Sequence, residues 1–282
     1  DVNKIEQTAN LISTALAQNT PGIIGVHFEG PHISEPKKGI HSSQQIRGIS
    51  QQELDIYCRD DLGIKVVTLA PESVDCDIIK TLVASNVHVC LGHSNATFAQ
   101  TQAALAAGAS GFTHLFNAMS ALESREPNMV GAALLDEQSW CGLILDGHHV
   151  HPSTAKLAYK VKAAHKMMLV TDSMSTIGSE QTHLQFDGHQ ISLTGDKLTS
   201  NTGQLAGSAL NMITAVNNAV KMLNIPLIDA LKMASLYPAQ FLGIADCYGQ
   251  LAVGSNADLT LLSSTHSSPH VVNTWISGRA IF

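Results

Sequence analysis

The chain lacks most of the marks that point to a macromolecular partner. No apolar run approaches the roughly 18 residues that a membrane-spanning helix needs, and no charged stretch followed by an apolar one stands at its start, so neither a membrane span nor a signal segment is expected. Charged residues are only 14% of the total, the formal charge is -7, and there is no basic run, which argues against nucleic acid or an acidic membrane surface. Cysteine is scarce: Cys58, Cys76, Cys90, Cys141 and Cys247 are odd in number, and no two form a C-x-x-C pair. That pattern suits reduced thiols in a cytoplasmic enzyme, mostly buried as small hydrophobes. Neither G-x-x-x-x-G-K-[ST] nor G-x-G-x-x-G is present, so nucleotide and dinucleotide sites are not expected. The G-x-S-x-G elbow of a serine hydrolase is absent as well.

What the chain does have is apolar sequence, at 44%, and 14 histidines against 16 lysines plus arginines. Short apolar runs at Ile23–Phe28, Lys65–Leu69, Val87–Leu91, Gly111–His114, Cys141–Leu145 and Met167–Thr171 read as buried parallel strands. Between them, Ile5–Ala17, Gln51–Asp61, Cys76–Ala84, Phe98–Ala107 and Ser153–Ala163 carry helical periodicity. Such alternation predicts an α/β fold. After Asp172 the pattern changes. His183–Thr199, with Asp187-Gly188 and Gly195-Asp196 turns, reads as a hairpin insertion, followed by helices near Ser208–Met222 and Leu227–Ser235 and tail strands Asp258–Leu262 and Val271–Ile276.

Six strands of this kind fall short of the eight in a (β/α)₈ barrel, the first helix has no strand ahead of it, and the chain opens on Asp1. The expectation is therefore a TIM-like metal-dependent hydrolase barrel over 1–248, lacking about two βα units at its start. Over 249–282 the tail is expected to be part of a small β domain. An open six-stranded doubly wound sheet is the competing architecture. It leaves unexplained why ionisable residues end so many strands.

Those strand ends carry the chemistry. Glu29 precedes Gly30-Pro31, His93 and His114 close successive strands, and Asp172 closes Leu169-Val170-Thr171. In a parallel barrel, all four side chains emerge on the rim where such barrels keep their active sites. A carboxylate and two imidazoles suit Zn²⁺, Fe²⁺ or Ni²⁺, and three protein ligands leave an open position for catalysis. Asp172 is then the candidate for proton transfer, with a fourth-ligand role or a turn cap through Ser173 as alternatives. His27 reads as packing, and one member of His148-His149-Val150-His151 as a substrate contact with the others facing solvent. His165, His183, His189, His266 and His270 read as surface.

With these residues in view, the chain closely resembles the N-acetylglucosamine-6-phosphate deacetylase family of the amidohydrolase superfamily. The resemblance runs through Gly25-Val26-His27-Phe28-Glu29-Gly30-Pro31, Lys38-Gly39-Ile40-His41, Leu91-Gly92-His93-Ser94 and Thr113-His114-Leu115-Phe116-Asn117-Ala118-Met119. It continues in Arg125-Glu126-Pro127, Asp146-Gly147-His148-His149, Val170-Thr171-Asp172 and Leu205-Ala206-Gly207-Ser208, in order along essentially the whole chain. The resemblance implies Glu29, His93 and His114 as ligands of a divalent metal, usually zinc, and Asp172 as acid and base. It implies His41 and His149 as substrate contacts and Asn117 and Ala118 as sugar-phosphate binders. Arg125 would reach the phosphate across a dimer interface, and Leu205, Ala206 and Gly207, ahead of a helix at Ser208, would offer backbone groups. The implied reaction is hydrolysis of N-acetylglucosamine 6-phosphate to glucosamine 6-phosphate and acetate. Rival expectations are the galactosamine epimer, a cyclic-amide hydrolase such as a dihydroorotase, and an inactive truncated paralogue.

Overall fold

A computed structural model describes residues 1–162, 165–263 and 268–281. The chain divides into two compact units, Asp1–Cys141 and Gly142–Phe282. The first unit holds α1 (Val2–Ala17), β1 (Gly25–Glu29), α2 (Gln51–Tyr57), β2 (Ile64–Leu69), α3 (Cys76–Ala84), β3 (Val87–Leu91), α4 (Phe98–Ala106), β4 (Gly111–Phe112), α5 (Asn128–Leu135) and the start of β5 (Trp140–Leu143).

The parallel sheet follows chain order, β1 to β5 and then β6 (Met167–Leu169). Register places Glu29 beside Thr68 and Leu69 beside Leu91, with Phe112 beside both Leu91 and Cys141. Continuous apolar strands are what a sheet covered on both faces requires. Accordingly Val67, Leu69, Val89, Leu91, Phe112 and Leu143 are all buried. Helices α2 and α4 start on capping boxes, Ser50 with Glu53 and Thr97 with Gln100. Each cap contributes about 1 kcal/mol and marks where its helix begins.

The second unit continues with α6 (Pro152–Val161), β6, β7 (His183–Phe186), β8 (His189–Thr194), β9 (Lys197–Ser200), α7 (Met212–Ala219), α8 (Leu227–Ala234), α9 (Leu236–Phe241), β10 (Leu259–Leu262), β11 (Val271–Ile276) and β12 (Arg279–Ala280). The insertion is an antiparallel meander, β7-β8-β9, turning at Asp187-Gly188 and Gly195-Asp196 as its sequence predicts. The tail strands form their own sheet, β10-β11-β12.

Several elements depart from expectation, among them helix α9 and strand β12, which the sequence pattern does not predict. The helix expected from Ser208 starts only at Met212, capped by the Asn211 side chain, which accepts from the Thr214 amide. Ser208 is instead paired with Ser173 in a β-bridge, so this stretch is extended and the helix-terminus rationale for Leu205–Gly207 does not hold. Helix α5 was not expected at all, because it is apolar on every side: Met129 through Leu134 are all buried. Of the expected helix Ser153–Ala163, residue Ala163 lies outside the described residues, as does His266.

Candidate metal and substrate site

Glu29 is the last residue of β1, and His93 and His114 stand just past the ends of β3 and β4. Both histidines take left-handed backbone conformations, φ 46° and 35°, as does Asp172 at φ 50° beyond β6. A non-glycine residue there is strained, and such strain gathers where a side chain must leave the strand direction for a function. Gly92 makes the turn at His93 possible: a Cβ there would come within 3.0 Å of the Thr68 methyl and 3.1 Å of Thr113 Cβ.

The three side chains converge. Glu29 Oε1 is 3.0 Å from His114 Nε2 and 3.3 Å from His93 Nε2, and the two imidazole nitrogens are 3.0 Å apart. Both histidines are buried. Burial alone pushes the Glu29 carboxyl up, but when the His114 and His93 rings are protonated their hydrogen bonds and charge hold it well below the usual carboxylate range. His93 Nδ1 lies 2.9 Å from the Lys37 carbonyl oxygen, which can only accept. The proton therefore sits on Nδ1, and the Nε2 lone pair faces Glu29 and His114. A carboxylate oxygen and two imidazole nitrogens turned toward one point are the donor set of a divalent transition-metal site, and these residues fit such an ion.

His41 belongs to the same cluster. Its ring centroid is 5.0 Å from that of His93, and Glu29, His41 and His93 offer ligand atoms within 4.8 Å of one another. The sequence separated His41 from the ligands as a substrate contact; in space it borders them. Its loop is anchored by groups that sequence reasoning missed. Buried His32 donates from Nδ1 to the Arg47 carbonyl oxygen (3.1 Å) and accepts at Nε2 from the Tyr57 hydroxyl (3.0 Å), while Arg47 pairs with buried Glu53. Only the spacing of buried polar residues in an otherwise apolar pattern could have hinted at this clasp.

In the second unit, Asp172 is exposed, and its carbonyl oxygen accepts from the Ser208 amide at 2.8 Å. Gly207 fits against it with φ 62°; a Cβ there would approach Asp172 O to 3.1 Å and Met174 Cγ to 2.6 Å. Leu205 bridges Thr199 of β9. The structure thus brings Leu205–Gly207 beside Asp172. Of the histidine run, His149 Nδ1 bonds Asp146 Oδ2 at 2.6 Å, His148 Nε2 bonds Asp196 Oδ1 at 2.9 Å, and His151 Nδ1 caps α6 by accepting from Ser153 N. His148 and His151 are exposed, as the sequence reading expects, and each also has a protein partner.

Comparison with known proteins identifies the family and the fold. The Amidohydrolase family model matches residues 2–281. The chain belongs to the amidohydrolase family. Among relatives of this amidohydrolase, N-acetylgalactosamine-6-phosphate deacetylase of Shewanella sp. (strain ANA-3) is 45% identical over the full chain and 71% of its own length. N-acetylglucosamine-6-phosphate deacetylase of Vibrio furnissii is 38% identical, over 92% of the chain and 65% of that protein. A crystal structure of N-acetylglucosamine-6-phosphate deacetylase from Pasteurella multocida superposes with a TM-score of 0.92 at 35% identity, over 98% of this chain and 72% of that one. The fold is therefore that of the amidohydrolase barrels.

The remaining predicted residues of this amidohydrolase lie on the segment after β4. The Asn117 side chain donates to the carbonyls of His114 (3.2 Å) and Leu115 (3.3 Å), and the Ala118 carbonyl accepts from Ser94 N at 2.9 Å. These bonds tie the segment to both histidine strands. Arg125 is exposed farther along the same loop. His27, read as packing, bonds Thr68 Oγ1 at 2.7 Å, and Thr68 in turn bonds Thr113 Oγ1 at 2.7 Å. His165, His183 and His270 are exposed and His189 is half-buried.

Proposed function

We propose that this chain carries the active site of a deacetylase that hydrolyses N-acetylglucosamine 6-phosphate to glucosamine 6-phosphate and acetate. The observation that carries the reading is the convergence of Glu29 Oε1, His93 Nε2 and His114 Nε2 within 3.3 Å in a chain of this family. Glu29, His93 and His114 would hold a divalent ion, with zinc the proposed metal. Such an ion supplies Lewis acidity to an amide carbonyl and lowers the pKa of water.

The protein's own groups do the rest. Asp172 takes a proton from the attacking water and returns it to the departing amine. His41 and His149 orient the acetamido sugar. Asn117, Ala118 and the Arg125 guanidinium bind the phosphate, for which a planar fork of donors is suited. Arg125 does so from a second copy of the chain, which makes the working form dimer-based. Backbone groups of Leu205, Ala206 and Gly207 complete the sugar contacts. The separate sheet β10-β11-β12 supports a domain boundary near residue 248. The free cysteines support a cytoplasmic setting. Among the described residues no helix is long and apolar enough to cross a membrane.

The relative at 45% identity is named for the galacto epimer, so that substrate is the second reading. Acetate release by the zinc-loaded chain on both acetamido sugar 6-phosphates, with unphosphorylated N-acetylglucosamine as control, tests both. The expected result is turnover of the gluco substrate and a much higher KM without phosphate. No acetate from either phosphate would sink the proposal.

A further inference from the structure

Asp146 belongs to neither the ligand set nor the substrate set, yet it is built around His149. Its Oδ1 accepts from the backbone amides of His148 (2.8 Å) and His149 (2.9 Å), and its Oδ2 takes the His149 ring nitrogen Nδ1 at 2.6 Å. Both side chains are only 7% exposed. The turn that makes this possible is held from outside. Asn218 Nδ2 donates to the Leu145 carbonyl at 2.7 Å, and Gly147 sits at φ 82°, a conformation that a side chain would strain.

The two oxygens divide the labour. Oδ1 closes a backbone turn, as many aspartates do. Oδ2 does something a turn does not require: a carboxylate can only accept, so Nδ1 must carry the proton, and Nε2 becomes the nitrogen presented to anything else. We propose that Asp146 is a positioning residue that locks His149 in the Nδ1–H tautomer, so that Nε2 meets the substrate as an acceptor for a sugar hydroxyl. The assignment rests on His149 being a substrate contact. It adds a requirement for a hydrogen-bond donor on the ligand, which a sugar hydroxyl supplies.

Asp146→Asn separates the two roles. The amide keeps one oxygen for the backbone turn and replaces the other with NH₂, which must donate to Nδ1 and so forces the proton to Nε2. The test uses the zinc-loaded full chain with ¹⁵N-labelled histidine, and His149→Gln identifies the His149 resonances. His149 should be protonated at Nδ1 in the parent chain and at Nε2 in Asp146→Asn. The variant should remain folded, with kcat/KM on N-acetylglucosamine 6-phosphate falling about 10–100-fold, as when outer-shell partners are lost elsewhere. An unchanged tautomer in Asp146→Asn, or a switched tautomer with kcat and KM both intact, overturns the proposal. Full activity in His149→Gln overturns it through its premise. A parent chain that releases no acetate counts against the deacetylase reading instead, and the tautomer measurement still judges Asp146 alone.

Discussion

The carbonyl oxygen of Lys37 lies 2.9 Å from His93 Nδ1, and that contact decides which side of the imidazole can meet a metal. Because the acceptor is backbone, no side-chain substitution at position 37 removes it directly. The ring itself is the target. His93→Ala is expected to lower zinc affinity by more than the roughly 10–100-fold typical of losing an outer-shell partner. Metal content after dialysis, read by mass spectrometry, checks this, and a fully metallated variant would contradict the ligand assignment.

Asp172 stands outside the ligand cluster in the proposed mechanism. Asp172→Asn should therefore keep stoichiometric metal while turnover falls about 10²–10⁴-fold, the usual contribution of a general base. Rate and metal content are measured on the same sample. Retained activity removes Asp172 from proton transfer, and lost metal moves it into the ligand set.

Asp146 predicts an acid-sensitive contribution to stability. Burial raises its carboxyl, but the His149 ring and the backbone amides of His148 and His149 outweigh that and hold it at about 2. A folded value below the unfolded one, about 3.9, means the stabilisation is complete above roughly pH 4–5 and is lost as pH falls through about 2. Asp146→Asn should be less stable than the parent by about 2–3 kcal/mol at neutral pH, at 1.36 kcal/mol per unit. Urea unfolding of both proteins should show that gap closing below about pH 4. A gap independent of pH would mean the carboxylate charge is not what stabilises the turn.

The cysteines should divide by reactivity. Burial pushes the Cys90 thiol up to about 12, and Cys141 is equally buried, whereas Cys247 is exposed. Under native conditions at neutral pH, iodoacetamide should modify Cys247 readily and spare Cys90 and Cys141 until the chain unfolds, because the thiolate is the nucleophile. Peptide mapping of a time course reads this out. Early labelling of Cys90 would show that the interior beneath β3 opens.

The strands were legible because parallel strands buried on both faces are short apolar runs, and β3 and β11 fall where their composition puts them, at Val87–Leu91 and Val271–Ile276. Helices with a polar face and a cap, such as α3 and α4, were equally readable. Helix α5 was not, because a helix buried on every side carries no period of 3.6 to detect. The extended stretch at Ser208–Leu210 was misread for a related reason. Its conformation is imposed by the bridge to Ser173 and by Ser208 N bonding Asp172 O, contacts with residues more than thirty positions away.

By itself, then, the order of residues determined the strand-and-helix alternation and which carboxylates and imidazoles stand at strand ends, because both are local properties of side-chain type and spacing. Only the tertiary structure decided that Glu29, His93 and His114 share one point, that His41 borders it, and which nitrogen of His93 and of His149 carries the proton. Those outcomes depend on hydrogen-bond partners such as the Lys37 carbonyl, which lies 56 residues from His93 along the chain and 2.9 Å from it in space. A tautomer is a property of the neighbour, and neighbours across a sheet are chosen by register and loop closure, not by sequence proximity.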